Sequence, residues 1–309
     1  MANTPSIAII LPYFGQWPQW AGLFFESCRQ NATIDFFFFT DCEPPATSAP
    51  NLHFQRICFA DYCNFVSKRL GINFHPVKPY KLCDLKPYYS YIHQDELKNY
   101  DFYGFGDIDL VWGDIRKFYT DDILQKNDVL STHADRLSGH LTLMRNTPRY
   151  TQLPLQIKKW KEKLTSPENH ALDEIDLTRI IYPAAPLLWK IHRQIFFRFH
   201  FQDEWMAYNR FCDCVNRVAL PRRIYFKEQY TTPWFTDTEA TDPSVVATYC
   251  WHYRDGKVFC KQTGAELPYL HFLSLKKYWK GDFCTIVDNW NNVEIGLRGI
   301  RDMYATGNQ

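Results

Sequence analysis

Two apolar segments near the N-terminus most constrain the fold of this chain. "SIAIILPYF" (residues 6–14) is an almost unbroken apolar run that ends at Gly15, and "TIDFFFFTD" (residues 33–41) is a second such run. Runs without alternation are typical of strands that are covered on both faces. Between them, Trp17, Trp20, Phe24 and Cys28 recur at helical spacing. The order strand, helix, strand predicts a βαβ unit and therefore an α/β fold with a parallel sheet.

The remainder of the chain predicts further elements of both kinds. Residues 84–98, 150–165 and 203–216 carry helical periodicity, while residues 99–111 and 141–146 read as strands. Shorter strands are expected in the last ninety residues, among them "RRIYF" and "WHYRDGKVF". Since no internal repeat or low-complexity linker interrupts the sequence, we expect a single domain over residues 1–309, with an elaborated C-terminal part. A boundary near residue 150 is the alternative.

Composition narrows the function classes. Hydrophobic residues make up 46% of the 309 residues, which provides for a sizeable core, and the formal net charge of +1 argues against a nucleic-acid binder. The N-terminus lacks the basic flank and cleavage site of a signal peptide, and no stretch approaches the ~18–20 apolar residues of a membrane helix. We therefore expect a cytoplasmic protein. Its ten cysteines are scattered, so we expect reduced thiols, and their spacings match no zinc motif.

The stretch "FYGFGDIDLVWGDI" (residues 102–115) carries the first candidate site. On a regular strand, Asp107 and Asp109 would point to the same face and Ile108 to the other. Two converging carboxylates suit Mg²⁺ or Mn²⁺, and ligands of open α/β sheets collect beyond the carboxyl ends of the strands. The competing interpretation is a pair of solvated acids at a strand end, because this short pattern is common by chance.

Two further segments could form the rim of a ligand site. Lys81, Asp84 and Lys86, in "PYKLCDLKPYYSYI", could hold a phosphate and a sugar hydroxyl. Alternatively, Asp84 caps a helix and both lysines are solvated. In "THADRLSGHLTLMRNTP", Ser138, Gly139 and His140 come just before a strand. They could line a ligand or form a tight turn.

Two segments in the second half contain candidate catalytic and metal-binding groups. Asp203 and Glu204 lie at the predicted start of a helix, where they could act as acid or base or simply cap the helix. His271, five residues before Lys276, could bind a metal, and the lysine could neutralise a diphosphate. A histidine in an apolar segment is more often a hydrogen-bonded core residue, and His252 competes for the same role.

Taken together, these motifs resemble a known family. A first strand ending "LPYFG", a second ending "FFFFTD", "YKLCDLKP" before a helix, and "FYGFGDIDLVWGDI" follow in this order. They resemble the bacterial glycosyltransferases of capsule and O-antigen synthesis, which have the GT-A fold, over roughly residues 6–280. The resemblance implies a Rossmann-like, mixed but mostly parallel central sheet flanked by helices. The nucleotide-binding half would span about residues 1–130 and the acceptor-binding half about residues 131–309.

The resemblance also implies roles for individual residues. Asp107 and Asp109, with His271 as a third ligand, would hold Mn²⁺ or Mg²⁺ at the donor diphosphate. The first two strand ends would hold the nucleotide, Lys276 would face its diphosphate, and the two preceding rim segments would face the donor. Asp203 or Glu204 would serve the acceptor. These donor-binding expectations cover Pro12, Tyr13, Phe14, Thr40, Asp41, Lys81, Asp84, Lys86, Asp107, Ser138, Gly139, His140 and Lys276. "HFLSLKK" lacks the glycine that accompanies the lysine in glycogenin-like relatives.

The implied reaction moves a hexose or N-acetylhexosamine from a nucleotide sugar, with UDP as the nucleotide, to a glycan or lipid-linked saccharide. Rivals are a nucleotidyltransferase or phosphohydrolase with paired carboxylates, and a carbohydrate-binding protein without activity. "LPYFGQWPQW" has one glycine and no cation, which counts against the phosphate loop of a nucleotidyltransferase. A lectin would bind glycan without nucleotide or metal. "LSLKKYWKGDF" could contact the inner face of the cytoplasmic membrane, or be a solvated strand or helix.

Overall fold

The computed structural model describes residues 4–196, 202–234, 242, 249–279 and 290–303. In that part of the chain, seven strands form the central sheet in the order β3-β2-β1-β4-β7-β6-β8. Neighbours β1–β2, β2–β3, β1–β4 and β6–β8 are parallel, while β7 runs antiparallel to both β4 and β6. The strands are β1 (Ile7–Pro12), β2 (Ile34–Thr40), β3 (Leu52–Arg56), β4 (Phe102–Gly106), β6 (Val129–Ser131), β7 (Leu141–Arg145) and β8 (Ile224–Phe226).

The predicted α/β class, with a mixed and mostly parallel sheet flanked by helices, is confirmed. The opening unit is strand β1, helix α1 (Ala21–Gln30) and strand β2. Alternate residues of β1 pack into different clusters: Ala8 and Ile10 belong to one core, and Ile7 and Ile9 to another. Both faces of β1 are therefore buried, which explains the unbroken apolar run.

Several predicted helices are broken into shorter pieces. Residues 84–98 form the end of a 3₁₀ helix (Pro79–Tyr88) followed by two single-turn helices, because Pro87 cannot donate a backbone hydrogen bond. Residues 150–165 are divided in the same way around Pro154. Besides α1, the described α-helices are α2 (Phe59–Leu70), α3 (Tyr89–Ile92), α4 (Gln94–Leu97), α5 (Ile115–Phe118), α6 (Asp121–Lys126), α7 (Pro148–Thr151), α8 (Trp160–Thr165), α9 (Thr178–Ile181), α10 (Ala185–Ile191) and α11 (Gln202–Ala219). Besides Pro79–Tyr88, the described 3₁₀ helices are Leu153–Gln156 and Leu275–Lys277, and the π-helices are Leu172–Leu177 and His192–Phe196.

The predicted strand over residues 99–111 is wrong as a single element. β4 ends at Gly106, and a separate strand β5 (Leu110–Trp112) pairs with β12 (Tyr269–His271) instead of with the central sheet. Asp107, Ile108 and Asp109 form the connection. The chain changes sheet here, and the alternation of a regular strand therefore does not apply to the two carboxylates.

The late strands form a second sheet, here called the C-terminal sheet, with the order β11-β10-β9-β13-β14. A tight turn at Asp255 and Gly256, both with positive φ, joins β9 to β10 as "YRDGKV" suggests. No described helix combines the length and the apolar character that crossing a membrane requires. The strands of this sheet are β9 (Cys250–Arg254), β10 (Lys257–Cys260), β11 (Glu266–Leu267), β13 (Asn292–Gly296) and β14 (Gly299–Asp302).

Candidate functional site

The connection between β4 and β5 is held from two sides. The indole nitrogen of Trp20 donates a hydrogen bond to the carbonyl of Ile108 at 2.9 Å, and the backbone N–H of Phe272 donates to the carbonyl of Asp109 at 2.8 Å. These contacts fix the backbone between the two acids and at Asp109. The carboxylates themselves then reach different partners.

Asp107 faces a buried lysine. Lys86 Nζ lies 2.6 Å from Asp107 Oδ1 and donates to the carbonyl of Gly139 at 3.0 Å, while Asp173 Oδ2 lies 4.0 Å away. Burial works against the charged form of Lys86, but Asp107 and Asp173 raise its pKa above the usual range. Burial and the neighbouring Asp109 raise the pKa of Asp107, against the opposing effect of Lys86. Lys86 is thus a fixed cation at the end of β4.

Asp109 faces the C-terminal half of the chain. The Lys276 ammonium donates a hydrogen bond to Asp109 Oδ2, and His271 Nε2 lies 3.4 Å from the same oxygen. The pairing of β12 with β5 places His271 opposite Leu110, directly after the acid. Although burial opposes ionisation, His271 and Lys276 hold the pKa of Asp109 well below its usual range. The predicted grouping of an early carboxylate with a late histidine and lysine therefore corresponds to direct contacts.

Three side chains at this point could hold a metal ion. Ligand atoms of Asp107, His140 and His271 all lie within 4.8 Å of one another, and the two imidazole rings are 3.7 Å apart between centroids. His140 Nδ1 is buried and lacks a hydrogen-bond partner in the described part of the structure. Burial, followed by His271 and His133, lowers the pKa of His140 well below its usual range, so the ring is a neutral potential ligand.

This group fits a divalent cation. An orphaned imidazole nitrogen beside a carboxylate is the kind of buried polar atom that a metal would satisfy. Two imidazoles suit Mn²⁺ better than Mg²⁺, which prefers oxygen ligands. Asp109, in contact with His271, lies at the edge of the same group. Sequence reasoning placed His140 with the donor-binding residues, whereas the structure places it with the potential metal ligands.

Asp173 and Glu174 were missed by sequence reasoning. They lie in the π-helix Leu172–Leu177, a rare element that often occurs at functional sites. Glu174 Oε1 accepts from the Gly139 N–H at 3.2 Å, and a Cβ on Gly139 would lie 3.1 Å from each of these carboxylates. Burial raises the pKa of Asp173 to about 7 although Lys86 opposes this. The available signal was the segment "LDEIDL", in which three acids are interspersed among apolar residues.

The ends of β1 and β2 are joined by the predicted nucleotide-binding residues. Asp41 Oδ1 accepts a hydrogen bond from the Gly15 N–H at 2.8 Å, and Gly15 has a φ of 111° that favours glycine. The Tyr13 ring stacks on Trp17 at 5.0 Å, and its hydroxyl donates to the Gln16 carbonyl. Burial, Cys42 and Asp109 together raise the pKa of Tyr13. Since β1 and β4 are neighbouring parallel strands, Tyr13 and the Asp107–Asp109 connection follow strand ends at the same edge of the sheet.

Three other residues predicted at these strand ends have different surroundings. Phe14 packs in the core against Phe59 and Tyr62, and Thr40 is buried with its hydroxyl accepting from the Cys42 N–H at 3.1 Å. Pro12, the last residue of β1, is partly exposed. The side chains of Phe14 and Thr40 are thus buried beneath the two strand ends.

The side chains of Lys81 and Asp84 make structural contacts within the protein. Their side chains pair at 2.8 Å, and Asp84 also accepts from the backbone N–H of His170 at 3.0 Å. Lys81 donates to the carbonyls of Lys163 and Glu168. The two residues anchor the segment that leads into the π-helix, and these contacts do not support the predicted role at the donor.

The remaining predicted residues are placed as follows. Ser138 is buried; its hydroxyl hydrogen-bonds with Tyr269 at 3.2 Å and shapes the turn before β7. His252 lies in the C-terminal sheet beside Glu294, in a different place from His271. Asp203 and Glu204 belong to the first turn of α11, and their side chains lie outside the described part of the structure.

Comparison with known proteins adds a family but no activity. A family model described as "Family of unknown function (DUF6625)" matches residues 9–288. No curated protein matches this sequence. Among solved structures, a glycosyltransferase involved in the glycosylation of the major capsid of PBCV-1 aligns with 74% of this chain and 83% of its own, at 9% identity and a TM-score of 0.29.

Proposed function

We propose that this chain, which belongs to the family of unknown function whose model it matches, is a metal-dependent glycosyltransferase. The observation that carries the proposal is the meeting of Asp107, Asp109, His140, His271 and two lysines just beyond the carboxyl end of β4. Ligands of α/β sheets bind at that edge. Two flanking cations and a cluster of metal-ligating atoms suit a nucleoside diphosphate with a divalent ion.

Asp107, His140 and His271, with Asp109 beside them, would hold Mn²⁺ or Mg²⁺. When bound, the ion would neutralise charge that develops on the leaving diphosphate. Lys276 forms an ion pair with Asp109, and the Lys276 side chain is 32% exposed. It can therefore turn from the carboxylate to a phosphate oxygen when the donor arrives. Lys86, which donates to Asp107 and Gly139 and has Asp173 at 4.0 Å, would keep a positive charge at the sugar end of the site.

The reaction would break the bond between the anomeric carbon and the phosphate oxygen and form a bond to an acceptor hydroxyl. The hydroxyl proton must leave to a carboxylate or to the departing phosphate. Asp203 and Glu204 remain candidates for this role, and Asp173 is a further one because it lies beside Lys86 with a pKa of about 7.

UDP is the nucleotide we propose. The stacked pair of Tyr13 and Trp17 at the end of β1 offers an aromatic surface for a base close to Asp109. The resemblance of "YKLCDLKP" and "FYGFGDIDLVWGDI" to polysaccharide glycosyltransferases supports a hexose or N-acetylhexosamine as the sugar. It likewise supports a glycan or lipid-linked saccharide as the acceptor.

Calorimetric titration of UDP, with and without Mn²⁺, tests the proposal. The wild type and Asp109→Asn, His140→Ala and His271→Ala are compared. We expect UDP binding that requires Mn²⁺ and falls at least tenfold in each variant. Asp95→Asn and His75→Ala serve as matched controls, since both residues are exposed and neither belongs to the cluster at β4.

Three outcomes would contradict the proposal in different ways. UDP affinity that is independent of metal would remove the metal role. Glycan binding without any nucleotide binding would indicate a lectin. Hydrolysis of a sugar nucleotide to a nucleoside monophosphate and a sugar phosphate, without transfer to an acceptor, would indicate a phosphohydrolase. Conversion of a sugar nucleotide and pyrophosphate to a nucleoside triphosphate and a sugar phosphate would indicate a nucleotidyltransferase.

A further inference from the structure

The outer face of the C-terminal sheet carries a second group of metal-ligating side chains. Cys250 and His252 are two residues apart on β9 and therefore share a face. In the pairing of β9 with β13, His252 lies opposite Glu294 and Cys250 lies opposite Gly296. Since Gly296 has no side chain, nothing from β13 stands between the thiol and the Glu294 carboxylate. The register of the sheet thus creates the group.

The three side chains are close enough to share one ion. A sulfur of Cys250, a ring nitrogen of His252 and a carboxylate oxygen of Glu294 all lie within 4.8 Å of one another, and His252 Nε2 is 3.4 Å from Glu294 Oε2. Ligands of a tetrahedral zinc ion at ~2.0–2.3 Å are themselves roughly 3.4–3.8 Å apart. Small side-chain rotations would close the group around an ion.

The chemistry of the ligand set selects the ion. A thiolate, an imidazole and a carboxylate together suit Zn²⁺, whereas Mg²⁺ and Ca²⁺ prefer oxygen alone. The group therefore differs from the one at β4, which contains no sulfur. Three protein ligands leave the fourth tetrahedral position to water.

The same contacts show what holds the group together without an ion. Lys261 Nζ lies 3.3 Å from Glu294 Oε2, and its side chain is 53% exposed. Lys261 thus supplies the positive charge beside Glu294 that a cation in the site would replace.

We propose that Cys250, His252 and Glu294 form a zinc site that ties β9 to β13. Binding of Zn²⁺ forms bonds to sulfur, nitrogen and oxygen, releases the thiol proton to solvent, and turns Lys261 outward. The ion would cross-link two strands that are about forty residues apart in the chain, and it would stabilise the C-terminal sheet in proportion to its affinity.

Titration with Co²⁺ tests the site directly, because a thiolate-bound cobalt ion gives a charge-transfer absorption that oxygen and nitrogen ligands do not. The titration is done on the full chain carrying His140→Ala, which removes one of the three potential ligands at β4, so that this site does not compete. We expect saturable thiolate-to-cobalt absorption with about one proton released per ion, and its displacement by Zn²⁺. In this background, Cys250→Ser should abolish the absorption, while Cys260→Ser should retain it.

Two lysine variants sharpen the test. Lys261→Met removes the competing cation and should tighten Co²⁺ binding roughly tenfold. Lys257→Met, on the neighbouring strand β10 and exposed, makes the same change in charge and should leave the affinity nearly unchanged. Charge-transfer absorption that persists in Cys250→Ser, or is absent from the parent protein, would overturn the proposal. Equal effects of the two lysine variants would do so as well.

His252→Gln covers the case in which Cys250→Ser fails to fold. This variant keeps the buried thiol and should weaken Co²⁺ binding at least tenfold while the circular dichroism spectrum stays unchanged. Unaltered affinity in a folded His252→Gln protein would overturn the site. Loss of UDP binding plays no part in any of these readouts, so the zinc site and the glycosyltransferase proposal can fail independently.

Discussion

Two buried lysines of the same 3₁₀ helix, Pro79–Tyr88, each pair with a carboxylate, and the two pairs have different surroundings. Backbone groups satisfy the hydrogen-bonding capacity of Lys81 and Asp84. The lysine donates to two carbonyls, and the carboxylate accepts from backbone N–H groups. Lys86 and Asp107 face one another beside His140, whose ring nitrogen lacks a partner in the described part of the structure. Burial of charge alone therefore does not mark a site. Incomplete hydrogen bonding near other ligating atoms does.

The largest expected effect separates the two carboxylates by stability. Asp84→Asn leaves the Lys81 ammonium buried without its counter-charge, and we expect a loss of about 3–5 kcal/mol in the free energy of unfolding. Asp107→Asn leaves Lys86 near Asp173 and relieves the repulsion between Asp107 and Asp109, so its loss should stay within about 1 kcal/mol. Urea unfolding of both variants measures the difference. Equal losses would mean that the two pairs are both structural.

The second prediction separates the two lysines by activity. Lys86→Met should lower kcat/KM for sugar transfer about 100-fold in the folded protein, because the cation at the donor is lost. Lys81→Met should lower the unfolding midpoint and, in the protein that remains folded, keep kcat/KM within a few-fold. Transfer assays with a UDP-sugar at a temperature below both midpoints compare them. A Lys86→Met enzyme with normal kcat/KM would mean that Lys86, like Lys81, only stabilises the fold.

The contrast between these two lysine–carboxylate pairs shows which features can be predicted from the sequence. The βαβ unit was predictable because an unbroken apolar run bounded by turn residues is typical of a strand buried on both faces, and the structure confirms β1 and β2. The cluster around Asp107, Asp109 and His271 was predictable in part, because strand ends in an α/β fold collect at one edge. Those signals are local or follow from general topology.

The parts that were not predictable depend on long-range packing. Lys81 and Lys86 occur in one short motif, and only the fold decides that the first meets residues 163–168 and the second meets Gly139. Asp173 approaches the site through a π-helix that periodicity does not reveal. The strand ends after Gly106 because the following strand, β5, pairs with β12 and not with the central sheet. β12 lies about 160 residues away in sequence.

The smallest expected effect concerns a histidine that resembles His140 but lies outside the site. His93 is fully buried, its Nε2 hydrogen-bonds with the Tyr62 hydroxyl at 2.9 Å, and its Nδ1 lacks a hydrogen-bond partner in the described residues. Burial, with Arg69 adding to it, lowers its pKa to about 3. What distinguishes it from His140 is the number of neighbouring ligands: among the described residues, His93 Nδ1 has a single carboxylate near it, Glu96 Oε2 at 3.8 Å, whereas His140 lies with both Asp107 and His271.

We therefore expect substitution of His93 to change the stability of the protein and not its ligand binding. Its folded pKa lies below the unfolded value of about 6.5, so the unfolded chain binds the extra proton and stability falls as the pH drops from about 6.5 towards 3. Between pH 7 and pH 5 this amounts to about 2 kcal/mol, which His93→Gln should remove from the pH dependence of unfolding, although the variant is less stable at pH 7. His75→Gln, an exposed control, should leave that dependence intact. If His93→Gln instead abolished Mn²⁺-dependent UDP binding in folded protein, an unpaired buried imidazole would mark function without neighbouring ligands, and the comparison would lose its basis.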